Sequence, residues 1–192
     1  MPPKPNSLTI YIGLLRGINV GGHNKVPMAE LRALAEGLGW QRVQTYIHSG
    51  NLVFAAKGTA AEAEGRLERA VEQRFGLQVP VVVRAAADWT RCAARNPFVE
   101  EVKHEPNHVL LALAKAALKP GAGDALQQRA ADGERVVEAG DAFWIYFPGH
   151  IAKSKLTPAV LDRLAGSPVT ARNWLTVLKL GELAQAVSRP GL

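Results

Sequence analysis

The stretch Val43-Gln44-Thr45-Tyr46-Ile47-His48-Ser49-Gly50-Asn51-Leu52-Val53-Phe54-Ala55 decides the fold. Two β-rich runs, Val43 to Ile47 and Leu52 to Ala55, flank the turn formers Ser49, Gly50 and Asn51, which reads as a β-hairpin. Upstream, Met28, Leu31, Leu34, Ala35 and Leu38 recur at helical spacing. Pro27 suits the first turn of that helix and Gly39 its end. Further upstream, Leu8 to Leu15 is a strand, followed by a Gly-rich loop from Gly17 to Lys25. Downstream, Thr59 with Glu62 forms a capping box for a helix that buries Leu67, Ala70, Val71 and Phe75. Val79 to Arg84 is then a strand, and the order is β-α-β-β-α-β.

The order repeats. After a short helix (Asp88 to Arg95) and a charged connection (Asn96 to Asn107), His108 to Ala114 is a strand and Asp124 to Ala131 a helix. Arg135 to Glu138 and Phe143 to Phe147 form a hairpin around Ala139, Gly140 and Asp141, in the place of the first hairpin. Thr157 caps a helix beginning at Pro158, Val169 to Arg172 is a strand, and Thr176 to Val187 is a closing helix. The expected class is α+β: two ferredoxin-like βαββαβ halves, an internal duplication, plus a C-terminal helix. The expected organisation is a disordered tail over 1–7, a first half over 8–95, a connection over 96–107 and a second half over 108–188. Ile10, Ile12 and Leu14 alternate as the core-facing residues, with Tyr11, Leu15 and Val53 apolar opposite them. A lone half would leave its bare face polar, so the two halves are expected to cover each other in one compact body.

Composition narrows the classes. The chain has 192 residues, 47% of them hydrophobic and 21% charged, an ordinary globular balance. The single cysteine, Cys92, excludes an internal disulfide and fits a reducing cytoplasm. Met1 to Ser7 lacks the apolar core of a signal peptide, and no run of about 18 apolar residues predicts a membrane span. A net charge of +6 favours anionic partners. The excess is uneven, since residues 1–97 hold 12 basic and 7 acidic side chains.

Topology then decides where the loops go. In a split βαβ unit the loop leaving the first strand and the hairpin between the second and third share one end. That brings Arg16 to Lys25 near His48 to Asn51. The third and fourth strands finish at a common end, bringing Gly149 to Lys155 near Arg172 to Trp174. Arg16, Asn19, Lys25, Ser49 and Asn51 at the first place, and Ser154, Lys155, Arg172 and Asn173 at the second, form sets suited to an anion. The first loop also feeds a helix N-terminus, which favours negative charge.

Other motifs fail on their chemistry. Gly17 to Lys25 approaches a nucleotide-binding P-loop, but His23 and Asn24 occupy the places of its Lys and Ser/Thr. His104-Glu105-Pro106-Asn107-His108 has the letters of a zinc-protease helix, yet Pro106 breaks the helix that would align both histidines. Ile10 to Leu15 is similar to the first strand of an RNA-recognition domain, but the adjacent strand offers only Phe54 for stacking. No nucleophile–base–orienter set is visible, and no metal or cofactor is implied.

Four segments carry a resemblance: Leu14-Leu15-Arg16-Gly17-Ile18-Asn19-Val20-Gly21-Gly22, Thr45 to Phe54, Ser154-Lys155-Leu156-Thr157, and Arg172-Asn173-Trp174. In order and spacing the chain resembles the bacterial family catalogued as domain of unknown function 1697, over roughly residues 8 to 187. The resemblance implies a small cytoplasmic α+β protein of ferredoxin-like halves and no catalytic residues. The chain departs from the family where Leu175 follows Trp174, where His48 stands in place of Gln, and at Gly149 to Ala152, which lacks a second Gly. Three functional readings remain open at this point. The first is a module binding an anionic, phosphate-bearing small molecule, nucleotide or nucleic acid through the two loop clusters. The second is an enzyme acting on a phosphorylated small molecule, with Arg16 and Lys155 as electrostatic stabilisers. The third is a structural or partner-binding protein.

Overall fold

The two hairpins each seed a four-stranded antiparallel sheet. A computed structural model describes residues 7–188, so residues 1–6 of the expected tail lie outside the described residues. Strands β1 (Thr9–Leu15), β2 (Gln41–Tyr46), β3 (Asn51–Ala56) and β4 (Val81–Ala85) form a sheet in the order β2-β3-β1-β4. Helices α1 (Met28–Gly37) and α2 (Ala60–Phe75) make the crossovers. The predicted capping box is present: Thr59 Oγ1 accepts from Glu62 N, and Glu62 Oε2 accepts from Thr59 N at 2.7 Å. Gly76, at φ +68°, ends α2 in a left-handed cap, the conformation glycine adopts most cheaply.

Antiparallel register corrects one expectation. Ile12 pairs with Val53 and Tyr11 with Phe54, so Val53 shares a face with Ile12 and not with Tyr11. The face packed with α1 and α2 residues is the one bearing Tyr11, Leu15, Leu52 and Phe54, joined by Leu31, Leu67 and Val71. Trp40 stacks on Phe54, with centroids 3.9 Å apart and planes 7° apart. Ile12, Leu14 and Val53 on the opposite face are buried too. A strand apolar on both sides leaves period-2 alternation without a direction, so alternation alone points to the wrong face as the helix-covered one.

In the second half, β5 (Val109–Ala114), β6 (Arg135–Ala139), β7 (Ala142–Tyr146) and β8 (Val169–Asn173) repeat the order as β6-β7-β5-β8. Helices α5 (Ala122–Gln127) and α6 (Pro158–Ala165) are its crossovers. The halves also treat their edge strands alike. Glu64 and Glu68 on α2 accept from Val83 N and Val81 N of edge strand β4, and Asp162 on α6 accepts from Val169 N of edge strand β8 at 2.8 Å. Carboxylates thereby occupy ladder donors that an edge leaves open. Chain contacts divide the described residues into a unit of 7–90 with 180–188 and a unit of 91–179.

Short elements link these parts: α3 (Ala86–Ala93), α4 (Glu101–His104) and a 3₁₀ turn, Pro106–His108, within the stretch expected to be a connection. Because α4 ends at His104 and Pro106 opens the next turn, His104 and His108 share no helix. Helix α7 (Trp174–Ser188) closes the chain. Among the described residues no helix is long and apolar enough to cross a membrane.

Candidate anion site

The first tip is built by three residues in left-handed backbone. Asn19 (φ 55°), Asn24 (φ 49°) and Ile47 (φ 48°) are three of the five non-glycine residues with positive φ among the described residues. Asparagine tolerates that region through local hydrogen bonds; a β-branched residue there is strained. The Asn19 amide then locks both loops together. Its Nδ2 donates to Val26 O (2.9 Å) and His48 O (2.8 Å), and its Oδ1 accepts from Val26 N (2.9 Å). Asn24 Nδ2 donates to Gly17 O, while Asn19 N donates to Asn24 O and His23 N to Val20 O. These internal bonds leave the loop unlike a phosphate-cradling P-loop, whose backbone amides point at the ligand.

The hairpin turn fits against the same loop. Leu15 N donates to Gly50 O at 2.8 Å. A Cβ on Gly50 would lie 2.7 Å from Ile18 Cδ1 and 2.8 Å from Leu15 Cβ, at φ +75°. Asn51 is fully buried; its Nδ2 donates to Tyr46 O and to Ser49 Oγ. Arg16 is half-buried, and its backbone N–H donates to Pro80 O. The expected meeting of these loops thus exists, but Asn19 and Asn51 serve it as clamps.

Beside the clamp opens a hollow of about 410 Å³ lined by Asn19, Gly22, Lys25, Val26, Pro27 and His48. Lys25 and His48 are exposed, and Lys25 has no hydrogen-bond or ion-pair partner among the described residues. Pro27 is the N-cap of α1, which has no side-chain cap, so first-turn N–H groups of a ten-residue helix face the same region. Glu30 in that turn is bonded to Arg74. The site therefore offers an exposed ammonium, an imidazole and a helix N-terminus.

The second tip is assembled differently. Register places Tyr146 opposite Val109 and Asn173 opposite Leu110, so β7 and β8 do end together. Ser154 Oγ, however, accepts from Leu156 N, and Lys155 is exposed. Asn173 Oδ1 accepts from Thr176 N at 2.9 Å, capping α7, and its Nδ2 donates to Asn107 Oδ1. Arg172 Nη1 donates to Thr170 Oγ1 and Ala171 O. Burial pushes the Arg172 guanidinium down to about 10, which leaves it cationic at neutral pH. Among the described residues neither Ser154 nor Lys155 bonds to Arg172 or Asn173.

A second hollow, about 680 Å³, escaped the sequence reading. Its lining includes Trp40, Lys57, Arg66 and Arg69. The available signal was the three-residue spacing of Arg66 and Arg69, which puts both on one face of α2. Among the described residues no group of three His, Cys, Asp or Glu side chains is placed to hold a metal ion.

Comparison with known proteins agrees with this architecture. A solved structure of a conserved bacterial protein from Streptococcus pneumoniae superposes with a TM-score of 0.72 at 25% identity, covering 93% of this chain and 99% of its own. No curated protein matches the chain. The family model described as "Protein of unknown function (DUF1697)" matches residues 8–144, which take in the whole first tip and the second hairpin through Trp144, and the chain belongs to that family.

Proposed function

We propose that the protein binds a phosphate-bearing ligand at the first tip, with Lys25 and His48 contacting the anion, Arg16 adding positive potential, and Asn19, Ser49 and Asn51 fixing the two loops. The observation that supports this reading is the hollow where the two loops meet, flanked by an exposed lysine and the uncapped start of α1. Ammonium and helix N-terminus both favour negative charge there. Strain at Ile47, next to His48 and half exposed, is a further support, since strained backbone clusters at binding sites. Lys155 and Arg172 join the proposal only as a basic second tip, with Lys155 its exposed cation, while Ser154 and Asn173 shape the backbone around it. A single cysteine in the chain, Cys92, fits a cytoplasmic setting.

The test is calorimetric titration of the full chain with inorganic phosphate, a nucleoside monophosphate and a short single-stranded oligonucleotide, from about 50 mM to about 200 mM salt. Saturable binding at low salt, weakened about tenfold by Lys25→Ala, is the expected result. A steep salt slope confined to the oligonucleotide would assign the site to nucleic acid. No heat with any probe, or a Lys25→Ala variant that binds as tightly as the wild type, would end the proposal.

A further inference from the structure

We propose that the hollow between Trp40 and α2 is a second anion site, separate from the first tip, built for a small polyanion carrying at least two phosphate-type charges. The two hollows share no lining residue, so this inference stands without the first.

Charge comes first. Lys57, Arg66 and Arg69 converge on the hollow against a single acidic residue, Glu62. The Glu62 carboxylate is already held by the Thr59 N–H and hydroxyl, so it remains ionised but is directed at the cap. Lys57 and Arg69 are exposed and have no hydrogen-bond or ion-pair partner among the described residues. Arg66 Nη2 donates to Leu38 O, which anchors one edge of its fork over the hollow. Three cations against one carboxylate leave an excess of positive charge, and a bound polyanion offsets it. Arg supplies a planar fork suited to phosphate oxygens and Lys a movable charge.

The floor gives a second, independent indication. Trp40 lines the hollow and is 4% exposed. One face of its ring is covered by Phe54, and its indole N–H is buried with no hydrogen-bond partner among the described residues. Buried donors are rarely left unpaired. An acceptor oxygen seated against Trp40 would supply the missing partner. Gly65 points the same way. Glycine inside a helix costs stability, and a Cβ here would lie 3.3 Å from Arg69 Nη1, so the bare position lets the guanidinium fold across the α2 surface. Because Thr59 and Glu62 already cap α2, the site does not rest on free helix N–H groups. A volume of about 680 Å³ is in the range of small-molecule pockets.

The experiment follows the indole N–H resonances of the full chain during titration with inorganic pyrophosphate, Trp40 being assigned by Trp40→Phe. The expected result is a saturable shift of the Trp40 signal. Lys57→Ala with Arg69→Ala should weaken it at least tenfold, and Lys25→Ala should leave it unchanged. Both replaced side chains are exposed, and matching thermal melts establish that the variant is folded. No Trp40 shift, or a shift indifferent to the double variant, overturns the site. Binding of an oligonucleotide without any response to pyrophosphate also overturns it, in favour of a nucleic-acid surface. Loss of the Trp40 shift in Lys25→Ala would mean that the two hollows are not separate.

Discussion

Replacing Gly50 by alanine should be far more damaging than the same change at Gly140, the corresponding turn of the second half. Both glycines have positive φ, +75° and +72°. Each alanine therefore carries the left-handed backbone penalty, about 1 kcal/mol. Their surroundings differ. A Cβ at Gly140 meets none of the described residues within 4 Å, whereas at Gly50 it falls 2.7 Å from Ile18 Cδ1 and 2.8 Å from Leu15 Cβ. Ile18 and Leu15 are buried, and the Leu15 N–H to Gly50 O bond holds the turn in place. Relieving that overlap costs a further 1–3 kcal/mol, roughly. Gly50→Ala should thus lose about 2–4 kcal/mol and Gly140→Ala about 1 kcal/mol. Urea unfolding of both variants, accepted only where the m-value matches the wild type, reads the difference. Equal losses at the two turns would mean that the hairpin does not press against the β1–α1 loop, and the first tip as described would be wrong.

Asn19→Ala removes two donated bonds and one accepted bond and strands the N–H of buried Val26; a loss of about 2–3 kcal/mol is expected in the same assay, and a loss under about 0.5 kcal/mol would show that the amide is no clamp. The Thr59 N–H and hydroxyl hold the Glu62 carboxyl below its usual range. The resulting stabilisation is present above the unfolded-state value, about 4.3, and disappears as pH falls through the lower folded value. Glu62→Gln, which keeps an acceptor but does not titrate, should flatten that acid limb in a series of urea midpoints; an unchanged limb would remove Glu62 as a contributor. Asn173→Ala should cost about 1 kcal/mol through loss of the α7 cap without altering anion binding, and a binding defect would return Asn173 to the ligand set.

Much of the architecture is legible because turn chemistry and periodicity agree. Ser49-Gly50-Asn51 and Ala139-Gly140-Asp141 mark hairpins in both halves, and Thr59 with Glu62 and Thr157 with Pro158 mark helix starts that the structure contains. The loop meeting at the first tip follows from strand order alone. Two things resist reading. Sheet faces are ambiguous because Ile12, Leu14 and Val53 are as apolar as Tyr11, Leu15 and Phe54, so alternation cannot say which side meets the helices. The roles of Asn19 and Asn51 depend on the left-handed turns at Asn19, Asn24 and Ile47, where isoleucine runs against its preference. No local signal separates an asparagine that clamps a loop from one that greets a ligand. The Trp40 hollow is hidden for a different reason: it joins a residue after α1 to one face of α2, a proximity that sequence spacing does not encode.

The most direct measurement is a backbone amide titration of the full chain with inorganic phosphate at low salt. Saturable shifts should gather at Gly22 to Glu30 and at His48, and vanish in Lys25→Ala. An amide spectrum indifferent to phosphate, or shifts that avoid the start of α1, would contradict an anion site at the first tip.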